Sequence, residues 1–212
     1  MRKFGNILLF ALAFGVAAYA LVVYGLMPLG VLVHPEMKAV FLEYRIGILT
    51  HVFASATALV LGPLQFSTML RRDRPRLHHW MGRIYLAVGV LVGGLSGLTM
   101  AQHAFGGTAA RLGFSLLAAG WLLTGLCAFM SIRRGAVEAH RKWMVRNFSL
   151  TFAAVTLRLY IPMSAMAGIS FEQAYPFIAW LCWVPNIVFA EWLFNNRPRG
   201  LSDQPHAPIA WR

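Results

Sequence analysis

Long uninterrupted apolar runs dominate this chain; they cover residues 7–31, 46–69, 84–104, 112–131, 147–168 and 173–194. Crossing the roughly 30 Å hydrocarbon core of a bilayer takes about 20 helical residues, so each run is long enough to span it. Ten-residue segments of period two separated by turns, the mark of a membrane β-barrel, do not occur. Helices remain, because in lipid every backbone polar group must be satisfied within the structure. The expected fold is all-α: a polytopic six-helix transmembrane domain over residues 1–195, with a loose cytoplasmic tail at 196–212, "NRPRGLSDQPHAPIAWR".

Composition supports this pattern, since 58% hydrophobic against 12% charged residues is far from a soluble average. The start, "MRKFGNILLFALAFGVAAYA", has the basic opening and small-residue ending of a signal peptide. Its apolar character continues through "LVVYGLMPLGVLV", so it reads as a retained first helix.

Charge sets the expected orientation. Of the 19 basic residues, 15 fall in the N-terminus, the 70–83 and 132–146 segments and the tail. The other connections hold only Lys38, Arg45 and Arg111. Cytoplasmic loops carry the excess of Lys and Arg, so both termini are expected in the cytoplasm. The formal charge of +12 is matched by anionic lipid headgroups, and nucleic acid is not an expected partner.

Cys127 and Cys182 stand alone in predicted helices, without C-x-x-C or metal-ligand spacing. No P-loop, dinucleotide fingerprint, nucleophile elbow or H-E-x-x-H motif is present. What recurs is Trp-Met-x-Arg, preceded by histidine, in "RLHHWMGRIYL" at 76–86 and "AHRKWMVRNFSL" at 139–150. Each copy is expected at the cytoplasmic start of an outward helix. There Trp80 and Trp143 anchor at headgroup level while Arg83 and Arg146 meet lipid phosphates.

The histidines are harder to assign to headgroups, because they add little charge at neutral pH. They form two groups: His51 and His103, with His34 near them, toward the outer end, and His78, His79 and His140 toward the inner end. Two such groups are what a two-haem bundle requires, with His51 and His103, and His79 and His140, as the metal-ligating pairs. The run Gly89-x-x-x-Gly93-x-x-x-Gly97 reads first as close helix packing, and second as room for a flat cofactor.

Arg158 is 12 residues after Arg146, roughly 18 Å along a helix and so near mid-membrane. A charge at that depth is expected to face the bundle interior and to have a partner. A haem propionate, a quinone oxygen and a substrate carboxylate would all serve. Glu191 is too near the inner end for direct contact, and Asn186 is a more reachable neutral neighbour.

Four blocks together, "GPLQF" at 62–66, "HHWMGRIY" at 78–85, "HRKWMVRNFSLTFAAVTLRLYIP" at 140–162 and "AYPFIAWLCWVPNIVFAEW" at 174–192, resemble the bacterial membrane proteins of domain-of-unknown-function family 2306. The resemblance implies a multi-helix inner-membrane protein and carries no established activity. It draws attention to His51, His79, Arg83, His140, Arg146 and Arg158. The family's His-Arg pair reads His78-His79 here, and His79 is taken as the matching histidine.

Two functions are compatible with these residues. One is a haem-b or other metal-binding electron-transfer protein exchanging electrons with quinone, its cofactor held by His51, His103, His79, His140 and Arg158. The other is a transporter or accessory membrane protein that binds an anionic small molecule through Arg158.

Overall fold

The structure, a computed structural model, describes residues 2–195. The tail expected at 196–212 lies outside the described residues. Among the described residues six helices are long and apolar enough to cross a membrane: Ile7–Gly25, Arg45–Gln65, Pro75–Ala101, Gly107–Arg133, Val137–Met166 and Phe171–Phe194. These are the first to sixth spans. Each apolar run of the sequence falls on one of them, and no strand occurs among the described residues.

Three boundaries differ from expectation. The first helix stops at Gly25, and a short helix, Pro35–Glu43, with proline in its first turn, leads into the second span. The third and fifth spans start earlier than the apolar runs, at Pro75 and Val137. Their opening turns are polar but rich in Leu, Met, Lys, Arg and Glu, which propagate a helix outside hydrocarbon. Both Trp-Met-x-Arg copies therefore sit within helices. They do the same local job: the Arg83 guanidinium lies 5.1 Å from the Trp80 ring centre, and that of Arg146 lies 4.7 Å from Trp143.

Sequential spans pack as neighbours. The fourth also contacts the sixth, the second contacts the fifth, and the first lies on the second and on the far half of the fifth. At Gly89 the second and third spans approach so closely that a Cβ would stand 2.8 Å from that of Ala58. The glycine run thus serves close packing, as in small-xxx-small helix contacts.

Where the third, fourth and fifth spans meet, a buried polar network joins them. Tyr85 Oη donates to Asn147 Oδ1 at 2.6 Å and lies 3.0 Å from Thr151 Oγ1. Asn147 Nδ2 donates to the Trp121 carbonyl at 2.7 Å and to Thr124 Oγ1 at 2.9 Å, and Trp121 Nε1 donates to Thr151 Oγ1 at 2.9 Å. Tyr85 and Asn147 are fully buried. Lipid offers no alternative partners to these groups, so the network selects one mutual arrangement of three helices.

Three spans depart from regular α-helix at this depth or beyond it. The third contains a π-helical segment, Tyr85–Val92, whose wider turns re-set which face meets the bundle. The fifth is interrupted at Phe152 and the sixth at Cys182 and Trp183, just before Pro185. Proline lacks an N–H and disrupts the preceding turn. The Cys182 carbonyl there is taken up by Thr156 Oγ1 and by Asn186 Nδ2. Broken helix thus survives because side chains satisfy the released backbone.

Candidate functional site

Between the network and the end of the bundle opposite the arginine-rich loops lies a cavity of about 560 Å³. Its walls are largely aliphatic and aromatic, with Val52, Leu59, Trp121 and Tyr175 among them. Arg158, His51 and Ser55 are polar groups within it, His103 and Arg111 line it near the turn between the third and fourth spans, and Glu36 reaches it from the short helix Pro35–Glu43.

Arg158 is half-buried in the fifth span. Its Nη1 donates to the Ala154 carbonyl at 2.9 Å, one turn back, and its guanidinium lies 5.7 Å from the Tyr19 ring centre. Among the described residues no carboxylate pairs with it. The proposed neutral partner, Asn186, is engaged elsewhere, donating to Ser149 O, Thr156 Oγ1 and Cys182 O. Glu191, weighed in the sequence as a distant partner, belongs to Arg146: Nε to Oε1 at 2.5 Å and Nη2 to Oε2 at 2.8 Å, a two-point pair.

His51 is held by Nδ1 against the Gly93 carbonyl at 2.8 Å. Gly97 makes room for its ring, since a Cβ there would come within 2.8 Å of Cε1 and Nδ1. A histidine whose Nδ1–H is fixed by a carbonyl presents Nε2 as an acceptor or ligand, the arrangement usual for metal-bound imidazoles. One turn on, Ser55 Oγ is buried without a hydrogen-bond partner among the described residues.

The other histidines near this end differ. His103 is exposed at the cavity rim and stacks on Tyr44, ring centres 4.0 Å apart. The neighbouring Glu43 carboxylate raises the Tyr44 pKa above its ordinary value. His34 is tied to Glu172 at 3.0 Å and stacks on Phe171 at 4.6 Å, joining the segment after the first span to the start of the sixth.

At the arginine-rich end, His140 repeats the His51 arrangement, with Nδ1 2.9 Å from the Ala128 carbonyl. His79 is exposed on the third span, and it is His78 that shares a small pocket with His140. Aligning the two copies on Trp-Met-x-Arg pairs His79 with Lys142, and His140 with Leu77. The histidines are thus not equivalent positions, and helix rotation decides which one turns inward.

Tyr85, Trp121, Asn147 and Thr151 escaped sequence reasoning. The legible signal was Asn147 and Thr151, polar residues four apart at the start of an apolar run, a spacing that places both on one helix face. Neither a curated protein nor a solved structure matches the chain. Residues 48–194, from the second span through the sixth, match the family model described as predicted membrane protein (DUF2306), and the chain belongs to that family.

Proposed function

We propose that this integral membrane protein is a transporter or accessory protein that holds an amphipathic anion in its outer cavity. The ligand's charged group would sit on Arg158 and its apolar body against Val52, Leu59 and Trp121. The observation that carries this is a guanidinium embedded in the membrane, lining a largely apolar cavity, with no carboxylate partner among the described residues. An unpaired charge at such depth is strongly unfavourable, and the ligand's own charge would compensate it. Ser55 Oγ and His51 Nε2 supply the remaining hydrogen bonds.

The carbonyl-anchored His51 favours one second reading, a haem b that His51 and His103 would hold in the same cavity, with Arg158 meeting its carboxylates. Haem would supply one-electron transfer, with quinone as exchange partner. His140 is anchored in the same way at the other end, but its pocket neighbour is His78 and not the His79 expected from sequence. A visible spectrum and native mass spectrometry of the full-length protein, purified from haem-supplemented cells, separate the two. An amphipathic carboxylate or phosphate retained with no Soret band supports the first reading. A Soret band lost in His51→Ala supports the second, and a preparation empty of both overturns the cavity as a binding site.

The arginine-rich end is proposed to face the cytoplasm, against the anionic headgroups of a bacterial inner membrane. The ten basic residues of the 70–83 and 132–146 segments, at that end, support it. Reporter fusions after Arg72 and after Gly106 are expected to report cytoplasm and periplasm respectively; the same compartment for both would refute it.

A further inference from the structure

We propose that the arginine-rich end carries a second anion site, separate from the outer cavity, that binds a phosphoryl group between the second, third and fifth spans. The pocket there measures about 150 Å³ and is lined by Gln65, Arg71, His78, His140 and Lys142, with Phe66 and Met144 on its apolar side. Two further charged residues of its lining, Glu138 and Arg141, pair with one another at 3.2 Å. That leaves Arg71 and Lys142 as positive charges unmatched by any carboxylate among the described residues.

Two lining residues carry buried nitrogens without a hydrogen-bond partner among the described residues: Gln65 Nε2 and His78 Nδ1. Buried polar groups in folded proteins are nearly always satisfied, so two orphans in one pocket point to a missing acceptor. Arg71 is already oriented, its Nη1 donating to the Gln65 carbonyl at 3.1 Å. His140 is oriented too, by its bond to Ala128 O.

The donors come from the second, third and fifth spans and from the short helix Thr68–Asp73 that carries Arg71, and they are of four chemical types: amide, imidazole, guanidinium and ammonium. A single acceptor atom cannot receive all of them. A phosphoryl group can, because it presents several strong acceptor oxygens and up to two negative charges, matching Arg71 and Lys142. Arginine's planar fork and lysine's point charge are both suited to phosphate. The group is either inorganic phosphate or the headgroup of an anionic phospholipid, since the pocket lies where the helices emerge from the apolar runs.

The test uses the full-length protein in a zwitterionic detergent. Inorganic phosphate is titrated by calorimetry, and retention of phosphatidylglycerol over phosphatidylcholine is read in parallel by native mass spectrometry. Arg71→Gln and Lys142→Gln are each expected to weaken binding about tenfold or more, the usual effect of losing a charged hydrogen bond. Arg133→Gln, an exposed change outside the pocket, and Arg158→Leu, in the other cavity, are expected to leave it unchanged. Saturable phosphate binding with this variant pattern identifies free phosphate as the ligand. Phosphatidylglycerol retention with the same pattern, and no phosphate binding, identifies the lipid. Neither form of binding, or equal losses in Arg133→Gln, overturns the site. Loss in Arg158→Leu alone would instead locate the anion in the outer cavity.

Discussion

Arg158→Leu protein, purified beside the wild type, is expected to lose the cavity anion while melting at an equal or higher temperature once both are ligand-free. The first effect follows from removing the guanidinium on which the ligand's charge would sit, a loss of about tenfold to a hundredfold in retention. The second is what separates a binding role from a structural one. If Arg158 only braced the fold, leucine would lower the melting point. If it is an unpaired charge kept for a ligand, removing it relieves a desolvation penalty that the protein itself does not offset. Arg158→Lys is expected to bind at an intermediate level, because it keeps the charge but loses the planar two-point fork. Unchanged retention in Arg158→Leu, measured by native mass spectrometry, would end the proposal.

The largest stability effect is expected at Asn147. Asn147→Leu keeps a similar volume but removes the acceptor for Tyr85 Oη and the donor to Trp121 O and Thr124 Oγ1. Individual hydrogen bonds between membrane helices average only about 0.6 kcal/mol. Here three are lost together, and the Trp121 carbonyl keeps only the longer contact from Thr124 Oγ1, at 3.1 Å, so roughly 2–4 kcal/mol is expected. Tyr85→Phe, which leaves Asn147 bonded to Trp121 and Thr124, should lose about 1 kcal/mol. The double variant should lose less than the two singles added, because both act through one contact. Thermal unfolding in a single detergent measures all three, and an Asn147→Leu value within about 0.5 kcal/mol of wild type would show that packing alone orders these helices.

Much of the architecture was legible without coordinates because a bilayer imposes its thickness on any chain that crosses it. Six apolar runs of sufficient length can do little else, and the count survived intact. The ends were less legible. Hydropathy reports where hydrocarbon begins, whereas helices end where hydrogen bonding ends, and the polar turns before Ile84 and Asn147 continue the helix beyond the apolar run.

Arg158 could be singled out from sequence because charge at that depth is rare whatever surrounds it. That Glu191 lies too far along the bundle to reach it was legible from depth as well, but that Asn186 is taken up by Ser149, Thr156 and Cys182 was not. The histidines show the same division. Sequence placed His51 and His103 at one end, and His78, His79 and His140 at the other, by rise along each helix alone. Which of them faces inward depends on rotation about the helix axis, and rotation is set by contacts with other helices: Ala58 against Gly89, His51 against Gly97, Tyr85 bonded to Asn147. Axial position accumulates residue by residue along one helix and can be counted from a string, whereas azimuth is agreed between helices and exists only once they pack.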